Sequence, residues 1–154
     1  MKTKSDCIFC KVANKELRSE IIYEDKDIIA FLDINPNVKG LTLVITKEHY
    51  DSDIFDIPSK AYINLLLKTQ KVVKILEKGL KVKRVAMVVE GMVINHVHIK
   101  LYPIHGLKEK FKETWTKDKV YFDKYPGYIT TKPGPNVSNK DNKKLVKKIL
   151  SKKK

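Results

Sequence analysis

A chain of 154 residues and 17.8 kDa is long enough to bury one continuous core and too short for two. With 42% hydrophobic and 8% aromatic residues it is neither a disordered tail nor a membrane protein. No apolar run approaches the roughly 20 residues of a spanning helix, and no apolar stretch precedes Cys7, so secretion and membrane insertion are excluded and a cytoplasmic location is expected. The net charge of +14 is uneven: residues 1–106 carry 17 basic and 13 acidic side chains, residues 107–154 carry 15 and 5.

Cys7 and Cys10 are the chain's two cysteines. A disulfide framework needs more, and a redox pair would normally follow a strand, so this C-x-x-C reads best as half a zinc site. A short helix through Leu17 is expected after it. Glu20-Ile21-Ile22-Tyr23-Glu24 and Asp27-Ile28-Ile29-Ala30-Phe31-Leu32-Asp33 then read as a hairpin turning at Glu24–Asp27. Asn35-Pro36-Asn37 and Gly40 break the pattern, and Leu41–Thr46 predicts a third strand buried on both faces.

Tyr62, Leu65, Leu66, Thr69, Val72, Val73 and Leu76 recur every three or four residues. They predict a long amphipathic helix, with Asp56 as N-cap, Pro58 in the first turn and Gly79 as the stop. Residues 82–90 and 93–103 predict two more strands in a tight antiparallel hairpin around Gly91. The expected class is α+β: a five-stranded antiparallel sheet, one long helix and a short N-terminal helix.

The domain expected over 1–106 is followed by a basic extension, 107–154. It mixes Phe111, Trp115, Tyr121, Phe122, Tyr125 and Tyr128 with lysines, and ends in an amphipathic helix bearing Leu145, Val146, Ile149 and Leu150. Its aromatics either dock it on the core or on a partner subunit, or stack on single-stranded nucleic acid. Arg18 and Arg84 are the chain's two arginines, so the basic charge is mostly diffuse ammonium, suited to general attraction to polyanions more than to specific readout.

In His96-Val97-His98-Ile99-Lys100, strand alternation sends His96, His98 and Lys100 to one face and Val97, Ile99 and Leu101 to the other. This run resembles the His-φ-His-φ-His-φ-φ signature of the histidine-triad (HIT) superfamily. Three further segments in order are similar to parts of that family: Asp6–Lys11 to its N-terminal zinc pair, Ala30–Pro36 to its nucleoside-binding strand end, and Gly40–His49 to its G-H-x-L-V-I-P-K-x-H run. Pro103 also follows where the family often has proline. Two departures stand out. Lys100 replaces the third histidine, and the loop Glu90-Gly91-Met92-Val93 is shorter than the family's usual glycine-rich turn.

The resemblance implies the HIT fold, a symmetric homodimer, and hydrolysis of a phosphoanhydride or phosphoramidate bond at a nucleotide's α-phosphate, as in diadenosine polyphosphate hydrolases or histidine-triad nucleotide-binding proteins, with dinucleoside polyphosphates or nucleoside phosphoramidates, including aminoacyl adenylates, as substrates. It makes His98 the nucleophile, forming a nucleotidyl-histidine that water opens, with His96 and Lys100 as the other triad members. Lys100 would stabilise developing phosphate charge; an ammonium is ordinarily a poor proton donor, so Lys100 would also act as general acid only if burial eased loss of its proton, with His105 as a fallback donor. Cys7, Cys10, His49 and His96 would hold a closed, structural Zn2+, and Mg2+ would accompany the substrate. Leu32 and Ile34 would wall the base and Asp33 would bind the ribose, unless Asp33 serves only to cap the turn. The alternatives are nucleotidyl transfer to phosphate, suggested by Lys100, and a nucleic-acid-associated protein working through its basic extension.

Overall fold

In the computed structural model, which describes residues 3–107 and 116–151, the β-branched runs pair into one antiparallel sheet. Its strands are β1 (Ile21–Glu24), β2 (Ile28–Leu32), β3 (Thr42–Thr46), β4 (Val85–Val88) and β5 (His98–Pro103), in the order β1-β2-β3-β5-β4. Every pairing is antiparallel, with Ile45 opposite His98 and Leu43 opposite Lys100 at the centre. α1 (Ile8–Ala13) precedes the sheet, and α2 (Ser59–Leu80) carries the chain from β3 to the β4 edge. These elements belong to the first of two units, residues 1–111 and 112–154.

Alternation gives the sheet two apolar faces. Ile28, Ala30, Val44, Val97, Ile99 and Leu101 pack against Leu65, Val72 and Leu76 of α2. Ile29, Phe31, Leu43 and Ile45 pack against Phe9, Val12 and Ala13 of α1. All five residues of β3 are buried, as a strand covered on both faces requires. Because α1 is short, it covers only part of the second face, where His98 and Lys100 also lie.

Several expected boundaries move. α1 ends at Ala13 and does not reach Leu17: Lys15 adopts φ +64°, and the amides of Glu16 and Leu17 both donate back to the Lys11 carbonyl, at 2.8 and 3.1 Å. α2 starts after Pro58, which takes the N-cap position in place of Asp56. It runs through Gly79, because Leu80 packs against the core and against Gly40, where a Cβ would come within 2.5 Å of Leu80 Cδ1. Lys81 in left-handed conformation, φ +53°, then closes it.

The expected tight hairpin between the last two strands is a longer connection, residues 89–97. Gly91 and Val93 have φ +68° and +73°, and the His96 amide turns back to the Ile94 carbonyl at 2.8 Å, so strand pairing begins only at His98. His96 therefore lies just before the strand, not within it.

In the second unit, α3 (Asn139–Leu150) is capped by Ser138, whose Oγ accepts from the Asp141 amide at 3.1 Å. Leu145, Val146, Ile149 and Leu150 are exposed, and Phe122 meets Tyr128 edge-on with centroids 5.7 Å apart. Phe111 and Trp115 lie outside the described residues. Among those described, no helix is long and apolar enough to cross a membrane.

Candidate active site and metal centre

α1 starts at the C-x-x-C, so its first turn carries both cysteines to the end of β3 and the segment before β5. Cys7 Sγ lies 3.4 Å from His96 Nδ1, and Cys10 Sγ lies 3.4 Å from His49 Nδ1 and 3.7 Å from His96 Nδ1. The four donor atoms fall within 4.8 Å of one another. A tetrahedral zinc site with bonds of about 2.1 to 2.3 Å has donor–donor edges of roughly 3.4 to 3.8 Å, so the three short separations already have the right length.

The protonation pattern also fits a cation. His96 Nε2 is 2.9 Å from the Thr46 main-chain carbonyl, which can only accept, so the proton sits on Nε2 and the Nδ1 lone pair faces the thiols. Burial pushes the His96 pKa down to about 4, which keeps the ring neutral. His49 Nε2 lies 3.5 Å from Asp51 Oδ1. Burial pushes the Cys10 thiol up, against an opposing hydrogen bond from the Lys4 amide. Both cysteines are free. Zn2+ would reverse that preference, since a coordinating thiol is deprotonated.

Beside this cluster sits His98. Its Nδ1–H donates to the His96 carbonyl at 2.8 Å, leaving Nε2 with a bare lone pair on a buried ring. Burial lowers the His98 pKa, assisted by Lys100 and opposed by the His96 carbonyl and the charges of Glu90 and Asp33. The neutral, single-tautomer imidazole that nucleophilic attack requires is therefore the favoured form.

Lys100 shares the His98 face of β5 and is tied to an acid: its Nζ lies 3.1 Å from Glu90 Oε2, with side chains 23% and 10% exposed. Asp33, at the end of β2, caps its turn by accepting the Asn35 amide at 2.8 Å, and its charge still reaches His98. Leu32 and Ile34 flank it, 40% and 88% exposed. His105 is exposed and its Nε2–H is engaged by the Lys39 carbonyl at 2.8 Å.

Sequence reasoning missed three contributors. Thr46 acts through a main-chain oxygen, which no residue type announces. Glu90 was read only as the end of a strand and the start of a loop, with no part in the site. Phe9, between the cysteines, packs edge-on against both His96 and His98; an aromatic amid a C-x-x-C was the available signal.

The HIT domain family matches residues 14–106. The chain is 40% identical over 102 residues to an uncharacterised HIT-like protein of Methanocaldococcus jannaschii, covering 63% of this chain and 78% of that one. It is 31% identical over 123 residues to the adenosine 5'-monophosphoramidase of Saccharomyces cerevisiae, covering 77% of this chain and 75% of the relative. Among solved structures, a HIT family hydrolase from Clostridium thermocellum superposes with a TM-score of 0.60 at 29% identity, over 71% of this chain and 98% of the other.

Proposed function

This chain belongs to the HIT domain family, and on that footing we propose that it is a nucleotide hydrolase that cleaves at the α-phosphate through a covalent nucleotidyl-His98 intermediate. The observation that carries the reading is the 2.8 Å bond from His98 Nδ1–H to the His96 carbonyl, which commits the ring to one tautomer and leaves the Nε2 lone pair to serve as nucleophile. Similarity to a yeast enzyme named for acting on adenosine 5'-monophosphoramidate supports a nucleotide as the substrate class, and dinucleoside polyphosphates such as diadenosine tetraphosphate are the substrates expected here.

Each residue has a task. His98 Nε2 attacks phosphorus while the His96 carbonyl holds the proton on the other nitrogen and stabilises the cationic ring of the intermediate. Asp33 accepts from the ribose with the carboxylate capacity its turn leaves, and Leu32 and Ile34 wall the base. Lys100 supplies positive charge for the phosphate oxygens. Cys7, Cys10, His49 and His96 would hold a structural Zn2+ that fastens α1 to β3 and the triad segment. The assembly proposed is a symmetric homodimer, checked by sedimentation.

The test is intact-mass spectrometry after brief exposure to diadenosine tetraphosphate. A transient adduct of one nucleoside monophosphate, absent in His98→Gly, is expected; full nucleotide cleavage by His98→Gly would refute the reading. New nucleoside diphosphate that depends on added inorganic phosphate would mark a transferase instead.

A further inference from the structure

We propose that the Glu90–Lys100 ion pair makes this site selective for substrates whose leaving group departs as a phosphate anion, and selective against those that must release an amine. The inference rests on His98 as nucleophile and deepens it to a substrate class. Lys100 and His98 lie on one face of β5, opposite Leu43 and Ile45 of β3, and Lys100 Nζ lies 3.1 Å from Glu90 Oε2. The turn after Glu90 is fixed in its course: Gly91 adopts φ +68°, and a Cβ there would come within 2.9 Å of the Ser52 carbonyl.

The two leaving groups make different demands. With an anhydride, the His98 Nε2 lone pair forms the N–P bond, the bridging P–O bond breaks, and its electron pair leaves on the phosphate oxygen; no proton is needed. Water then attacks phosphorus, the N–P bond breaks, its electron pair returns to Nε2, and a proton passes to solvent. With a phosphoramidate, the breaking P–N bond would expel an amide anion unless a proton is delivered to that nitrogen as it leaves. Lys100 is the ammonium two residues from His98 on the same face, and giving up its proton would leave a neutral amine facing the largely buried Glu90 carboxylate, breaking a pair that burial makes costly to break. Lys100 therefore supplies charge and withholds its proton, and Glu90 is the positioning residue that enforces this.

The test compares kcat/KM of the full chain for diadenosine tetraphosphate and for adenosine 5'-monophosphoramidate. Wild type is expected to favour the anhydride by about 100-fold or more, the scale of a missing general acid. Lys100→His should narrow that ratio by at least about tenfold, by raising phosphoramidate cleavage. Glu90→Gln, which keeps the shape and frees the ammonium, should narrow it in the same direction. A ratio taken within one variant is insensitive to loss of folded protein. Near-equal rates in wild type, or a ratio unmoved by Lys100→His, would overturn the selectivity alone, provided both activities vanish in His98→Gly. Failure of wild type to cleave either substrate would instead bring down the hydrolase reading and this proposal with it.

Discussion

Phe9 stands edge-on to His98, with ring centroids 5.3 Å apart and planes at 68°. The same phenyl meets His96 at 5.9 Å, so one side chain of α1 touches both His96 of the Cys–His cluster and His98. Phe9→Ala is expected to destabilise the domain by about 3 to 5 kcal/mol, and Phe9→Leu by roughly 1, read by urea unfolding. Turnover should fall with Phe9→Ala under conditions where the variant is still folded, because the His98 ring loses its wall.

Metal content offers a second check. Chain purified without chelator is expected to carry about one zinc per protomer by elemental analysis, and strong chelation should lower the melting temperature, since a ligand bound only by the folded state stabilises it. Cys10→Ser should reproduce the loss and be insensitive to chelator. A wild-type chain free of metal, with an unchanged melt, would remove zinc from the account.

Acid should weaken the fold through the β1–β2 turn. Lys68 of α2 lies 2.8 Å from Asp25 and 2.5 Å from Asp27. Burial pushes the Asp25 carboxyl up, but Lys68, the amides of Asp27 and Ile28 and the Tyr23 hydroxyl outweigh it and hold it well below the usual carboxylate range. Lys68 and Asn64 likewise hold Asp27 down. The unfolded chain, with carboxyls near pKa 3.9, then binds more protons than the folded one at low pH. The contribution is complete above that value and is lost as pH falls below about 4 through the folded values. Lys68→Met should cost about 1 to 3 kcal/mol at pH 7 and flatten the acid limb of a stability–pH curve.

Val93 is β-branched, 94% exposed and set at φ +73°, a conformation that strains such a residue and suits glycine. Val93→Gly should therefore stabilise by about 0.5 to 1 kcal/mol, net of the entropy glycine adds to the unfolded chain. A higher urea midpoint with an unchanged slope is the expected result.

What was legible in the sequence followed from periodicity and side-chain chemistry. The spacing of Leu65, Thr69, Val72 and Leu76 marks the buried face of α2 because burial there is one-sided. The two cysteines with His49 and His96 converge as the family resemblance implied. The start of β5 was not legible, because the β-branched pair Val93-Ile94 reads as strand while left-handed backbone at Val93 diverts the chain. Nor was the end of α2, since the packing of Leu80 carries the helix past Gly79. The Lys100–Glu90 pairing depends on β4 lying beside β5, a neighbour relation that no local spacing encodes.

The strand order has a consequence for how the protein comes to exist. β5, last of the sheet strands to be synthesised, occupies the gap between β3 and β4, and His96 and His98 arrive with it. Until that insertion, β3 has an unpaired edge and the cysteines have only His49 opposite them, so a chain halted before residue 96 lacks both His96 and His98. Assembly of the histidine cluster is thereby coupled to closure of the sheet, and half-made copies carry an open strand edge that makes them most prone to stick to one another.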